Sequence, residues 1–433
     1  MTDTLTSRLA AFAAGPISAS SIAQRVTCLS ALDWLAVGRA GAGEPVSRIV
    51  REMAQDEGGA GQAHVFGGTA ALPARAAALV NGTISHALDY DDTHFAHIGH
   101  PSVAVFPAVL ALAEERLCPT VDILESALVG MEGSIRMGLW LGRAHYQSGF
   151  HQTATAGALG AGLAAGRILG LSADDMAQVL GLISTRAAGL KAQFGTMGKP
   201  YNAGLAASTG VEAALLVARG FRSNPDALTG PFGFGATHDG EANEAAALDG
   251  LGECWLFETV SHKFHACCHG LHAALEAARI LDIAAPEIAK MTVRTHPRWM
   301  SVCNQPAPTT GLGAKFSYAT VLAMRAVGYD TARLESFSDR VCTDPRITAL
   351  RTRITVKADE SLNETQAVLS VLRKVGVWSE ATHDLQAPLD LAERQDRVRR
   401  KAVGLIGADL ESLAWSILKG EGRPQGFAGL VSA

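Results

Sequence analysis

Apolar residues recur at helical spacing along most of the N-terminal half of this chain, and short polar clusters interrupt them. Ile22, Val26, Leu29, Leu32 and Leu35 fall on one helical face, with Ser18 or Ser20 placed to cap it. Residues 1–55 therefore predict two or three helices. Leu72 to Leu88 predicts the next, and Pro101 suits the first turn of the one after. Thr120 opens a further helix, with Asp122 near its positive end. Ser172 and Asp175 form a capping-box pattern. The stretches TATAGALGAGLAAGRILG and NAGLAASTGVEAALLVARG are almost wholly small and apolar, which predicts helices buried against close neighbours. The texture changes after about residue 255. Lys290 to His296 and Ile354 to Lys357 show strand-like β-branched alternation, with helical pieces around Leu271 to Leu281 and Ala314 to Val327. From about Asp390 the pattern is helical again, with Arg397, Arg399, Arg400 and Lys401 expected on a solvated face. The expected fold is mainly α: a large all-helical domain built from both chain ends (1–258 and 386–433), plus a smaller inserted α+β lid domain (259–385).

The polar interruptions carry the candidate chemistry. The densest lies between Asn81 and Glu114, where Asp89, Asp91, Asp92, His94, His97 and His100 sit between two segments that want burial. Charged groups held near a core cost free energy unless they are paired or used. A second joint, RAHYQSGFHQ, holds Tyr146 and His151. A third, KAQFGTMGKPY, holds Lys199. A fourth, SHKFHACCHGLH, holds Lys263, His265, His269 and His272. Joints at helix starts can converge on one cleft, where free N–H groups and the helix dipole seat carboxylates. Two lysines and several histidines there suit a small polycarboxylate and proton transfer near neutral pH. Asp91 and Asp92 read as capping residues, and His269 and His272 as residues lining a packed helix.

Composition narrows the partners. The chain has 433 residues, 48% hydrophobic and 18% charged, enough for a large core and more than one domain. A net charge of −5 without a basic run argues against nucleic acid. No long uncharged apolar stretch and no signal-peptide pattern stand out, so a soluble, cytoplasmic protein with no membrane partner is expected. Seven cysteines without a CxxC pair predict reduced, structural thiols. A metal site is the competing chemistry. His94, His97 and His100 are spaced by three, and His265, Cys268, His269 and His272 also fall at helical spacings. Without HExxH or paired CxxC, the expectation is no metal. A non-catalytic carboxylate-binding protein is the alternative of another class. No Gly-rich phosphate loop and no GxSxG is present.

The segments NGTISHALDYDDTH followed by HPS, then GFHQTATAG, GTMGKPYNAG, HKFHACCHGLHAALEA and AKFS resemble the MmgE/PrpD family in order and across most of the chain. That resemblance implies a helical domain with an α+β lid, a homodimer, and no cofactor. It places active-site positions at Asp89, Thr93, His100, His151, Lys199 and Lys263. The implied activity is proton transfer next to a carboxylate on a small di- or tricarboxylate, as a dehydratase or decarboxylase, or alternatively as an epimerase of the iminodisuccinate type. His100, His151, Asp89, Lys199 and Lys263 are the candidate catalytic residues, with Asp89 orienting His100. Thr93, Tyr146, His265 and Tyr318 are candidates for binding substrate. The family commonly carries a tyrosine three residues after the serine of AKFS; here that position is Thr320, and Tyr318 follows Ser317 directly.

Overall fold

The computed structural model describes residues 4–421 and 426–432. The fold is mainly helical, with one small four-stranded sheet. The chain divides into two compact units, one of Met1–His262 with Val398–Ala433 and one of Lys263–Arg397.

In the first unit, α1 (Leu5–Ala14), α2 (Ser21–Gly41) and α3 (Pro45–Glu57) account for the opening segment. Ser20 caps α2, its hydroxyl accepting from the Ala23 amide at 2.9 Å. Then come α4 (Ala74–His86), α5 (Ser102–Ala113), α6 (Thr120–Gln147), α7 (Gln152–Ile168), α8 (Ala173–Ile183) and α9 (Gly198–Val217). The small-residue helix α7 is buried from Gln152 to Gly166 and packs against α5, α6 and α9. Side chains this small leave the backbones free to touch, which is how the core closes with few aromatics. Helix α6 bends at Gly142, whose φ of +71° is outside the helical region.

The crossing of α4 and α9 sets up the site. A Cβ on Gly82 would lie 2.8 Å from the Cα of Gly204, and one on Gly204 would collide with the Thr83 hydroxyl and the Leu79 carbonyl. About one turn beyond this crossing lie His86 on α4 and Lys199 on α9. Gly204→Ala should therefore destabilise the protein by about 1–3 kcal/mol. Urea unfolding checks this, and an unchanged midpoint would show that the helices separate at no cost.

The second unit carries the sheet in the order β2-β1-β3-β4, with β1 (Ile288–Thr295) parallel to β2 (Ile354–Ala358) and antiparallel to β3 (Gln366–Arg373). β4 (Trp378–Asp384) pairs antiparallel with β3, and the helix His272–Ile280 packs on both. Sequence periodicity finds β1 and β2 but misses β3 and β4. β3 buries Ala367, Val368, Leu369 and Val371, an apolar run broken only by Ser370 rather than an alternation, while β4 is a polar edge strand.

The solvated face expected at Arg397, Arg399, Arg400 and Lys401 holds at Arg400, which is exposed, and is corrected at Lys401 and Arg397. Lys401 is buried, its ammonium 2.6 Å from Asp33 Oδ1 and 2.6 Å from the Tyr90 carbonyl oxygen. Arg397, within the second unit, pairs with Glu276. Among the described residues, no helix is long and apolar enough to cross a membrane, and the seven cysteines are free thiols.

Candidate active site

The site grows from the segment between α4 and α5. Asp89 turns the chain out of α4 with a left-handed φ of +50°. The Lys401 ammonium holds the next residue by its carbonyl and lies 3.9 Å over the Tyr90 ring. Asp92 is buried and accepts from the hydroxyls of Ser30 and Ser102 and from the Ser102 amide at the start of α5. Burial pushes its carboxyl up to about 7, against those hydrogen bonds. Its role is structural, as its place before α5 suggests. Thr93 exchanges backbone hydrogen bonds with Ser261, at 2.9 and 2.7 Å. His94 and His97 then turn to other partners, His94 Nε2 to the Leu256 carbonyl at 3.0 Å and His97 Nε2 to the Gln152 carbonyl at 3.3 Å. Burial pushes His97 down to about 3. The three-spaced histidines thus do not converge on one point.

His100 does reach the centre. Its amide donates to the Thr153 hydroxyl in the first turn of α7. Its Nδ1 lies 2.7 Å from Asp91 Oδ2, off-line for an ideal hydrogen bond, and its Nε2 lies 3.6 Å from Asp89. Asp89 instead pairs with Lys199, Nζ to Oδ1 at 2.8 Å. The carboxylate that orients His100 is therefore Asp91 rather than Asp89. Asp91 is fully buried and also takes His86 Nδ1, at 2.9 and 3.1 Å to its two oxygens. Burial alone would raise the Asp91 carboxyl, but the two imidazoles outweigh it and hold it well below the usual carboxylate range. Sequence reading gave Asp91 a capping role and passed over His86. The available signal was that both stand within a few residues of Asp89 at the buried end of an apolar helix, where a charge needs a partner.

His151 caps α7 and is buried beside this group, its ring 6.1 Å from that of His86 and nearly parallel to it. Phe194 meets it edge-on at 4.9 Å. The Asn202 side-chain nitrogen lies 3.4 Å from the Leu190 carbonyl oxygen and 3.3 Å from His151 Nδ1. A carbonyl only accepts, which fixes the amide nitrogen on that side and makes His151 Nδ1 the acceptor. The ring proton of His151 is then on Nε2. Burial, followed by the charges of Lys199, His86 and His100, holds its pKa well below the usual histidine value. His151 is a neutral N–H donor at pH 7.

The structure thus brings together Asp89, His100, His151 and Lys199 from three joints. Tyr146 lies at the end of α6, where the Lys191 ammonium sits 3.9 Å over its ring. The remaining candidates belong to the second unit. Lys263 is buried. His265 bonds Thr331 Oγ1 at 2.7 Å and Glu276 Oε1 at 3.1 Å, and the Tyr318 hydroxyl donates to the Gly270 carbonyl at 2.6 Å. Both of these side chains are engaged in the packing of that unit.

His86, Asp89, Asp91 and His100 bring one potential ligand atom each within 4.8 Å of one another. In this arrangement Asp91 takes both Nδ1 atoms and Lys199 takes Asp89. An ammonium 2.8 Å from a carboxylate competes directly with a cation for it. As they stand, the four form a hydrogen-bonded and ion-paired cluster with Lys199.

The model of the MmgE/PrpD N-terminal domain matches residues 7–245, and that of the MmgE/PrpD C-terminal domain matches 265–408. This chain belongs to the MmgE/PrpD family. A cis-aconitate decarboxylase of Aspergillus terreus (strain NIH 2624 / FGSC A1156) is 28% identical over 87% of this chain and 84% of its own length. The cis-aconitate decarboxylase of Homo sapiens is 36% identical over 38% of this chain and 35% of its own, and that of Mus musculus is 31% identical over 60% and 54%. With these relatives, membership of the MmgE/PrpD family marks the chain as an enzyme of lyase type.

Proposed function

We propose that this MmgE/PrpD enzyme acts on a small tricarboxylate of the cis-aconitate kind, moving a proton at a carbon next to a carboxylate with its own side chains. The observation that carries the reading is the pairing of unlike histidines. His100 turns Nδ1 to an ionised carboxylate and so offers a lone pair at Nε2. His151 offers a proton at Nε2. One is set as base and the other as acid.

Lys199 and the first turns of α7 and α9 supply the positive field for an anionic substrate. In a decarboxylation, the C–CO₂⁻ bond breaks, CO₂ leaves, and the electron pair spreads into the neighbouring unsaturated carboxylate. His151 then protonates the carbon and regains its proton from water. Lys199 stabilises the charge in between, the kind of electrostatic effect that contributes most. In a dehydration, His100 removes the proton and the acid assists loss of hydroxide as water. A base and an acid so paired also support a second reading, epimerisation, in which one histidine removes the proton and the other returns it on the opposite face.

His151→Ala and Lys199→Ala should each lower turnover at least about tenfold without unfolding the protein. Proton NMR in D₂O with EDTA, over cis-aconitate, citrate, 2-methylcitrate and iminodisuccinate, is the test. Itaconate-like product with CO₂ release identifies a decarboxylase, and deuterium entry with inverted configuration identifies an epimerase. Full activity in both variants would remove the site from this cluster.

A further inference from the structure

Three buried imidazoles cluster here, two of them on the Asp91 carboxylate, and the reading above uses only His100 and His151. The third, His86, ends α4 with its side chain fully buried. Its Nδ1 is on Asp91, the carboxylate that also holds His100 Nδ1. Its Nε2 is buried without a hydrogen-bond partner among the described residues. The His100 ring lies edge-on at 4.5 Å. An unpartnered buried nitrogen costs free energy that an apolar side chain at this position would avoid. A packing role alone therefore does not account for histidine here.

We infer that His86 is a positioning residue that acts on His100 through Asp91. Asp91 is an acceptor on both sides, so both rings carry their neutral-state proton on Nδ1. Two N–H donors divide the charge of one carboxylate. His86 thereby fixes the side chain of Asp91 and limits how strongly Asp91 favours the protonated form of His100. His100 keeps a lone pair available at Nε2. Other groups acting on His100 include Asp89 at Nε2, Lys199 through Asp89, and the neighbouring His97 and His151.

The inference rests on His100 being the base, and the experiment separates the two. In the full chain labelled with ¹⁵N-histidine, long-range ¹H–¹⁵N correlation should find both His86 and His100 protonated at Nδ1. A His86 protonated at Nε2 overturns the inference whatever the enzyme does. His86→Leu removes the donor, so the charge of Asp91 falls on His100 alone and its protonated form is favoured. The acid limb of kcat/KM for cis-aconitate, followed by deuterium exchange, should then move to higher pH by roughly one unit, with kcat falling about tenfold and KM little changed. His86→Asn places an amide nitrogen where Nδ1 was and should restore most of the lost turnover and the original limb. A loss in His86→Leu with the limb unmoved, or an Asn variant no better than Leu, would reduce His86 to packing. If the leucine variant does not fold, the tautomer measurement decides. If His100→Ala keeps full exchange, the base assignment fails instead.

Discussion

His100→Ala should lower the kcat of substrate deuterium exchange by about 10²- to 10⁴-fold, the usual contribution of a positioned general base. His100 is 8% exposed, so the deletion leaves a small polar gap rather than a collapsed core, and folding should survive. Asp91→Asn tests the same unit from behind. It keeps the shape but loses the charge that orients His100 Nδ1 at 2.7 Å, and its effect should approach that of His100→Ala. Asp89→Asn should act differently. Asp89 pairs with Lys199 at 2.8 Å and is partly exposed, so its loss frees the ammonium and should appear mainly in KM. Steady-state kinetics on the three variants, with circular dichroism as the fold control, separates the roles. Equal losses for Asp89→Asn and Asp91→Asn, both in kcat, would contradict the assignment of Asp91 as the orienting carboxylate.

Arg136→Met should cost about 3–5 kcal/mol of stability, the largest single effect expected outside the site. Arg136 and Glu132 are both buried on α6, 2.7 Å apart. The guanidinium also donates to the carbonyls of Ala247, Asp249, Gly250 and Cys254, and Glu132 accepts from the amides of Leu256 and Phe257. The pair thus holds the segment that runs on to Ser261, the backbone partner of Thr93. Burial already raises the Glu132 carboxyl above its usual range, with Arg136 opposing it. Without Arg136, the native state keeps that carboxyl protonated to higher pH while the unfolded chain ionises near pH ~4.3. The native state then binds more protons, so the variant should lose stability as pH rises from that point. Urea unfolding at several pH values checks both magnitude and sign. A flat pH dependence would mean that Glu132 finds another partner. Adding Glu132→Gln should recover part of the loss, because the stranded charge is gone.

Much of this molecule is legible in the order of its residues. Helix positions followed from apolar spacing and caps, since a periodic face and a capping hydroxyl are local properties, as at Ser20 and Ser172. The family followed from short motifs, and three of the four polar joints supplied residues that meet: Asp89 and His100, His151, and Lys199. Strands β3 and β4 were not legible, because a strand buried on both faces and a polar edge strand each lack the alternation that marks a half-buried one.

Pairing was decided only by the tertiary structure. Nothing local distinguishes Asp89 from Asp91. The backbone reversal at Asp89, with φ of +50°, sends one carboxylate to Lys199 and the other between two imidazoles. Lys401 looked like a surface lysine because its neighbours are basic, yet the fold carries it to Asp33 and the Tyr90 carbonyl, far away in the chain. The proton on His151 depends on Asn202, whose amide is oriented in turn by the Leu190 carbonyl. The sequence by itself determined which chemical groups are present and which helices carry them, because those depend on residue type and spacing. Which carboxylate holds which ring, and so which histidine gives and which takes a proton, depends on distances of a few ångströms that only the packed chain sets.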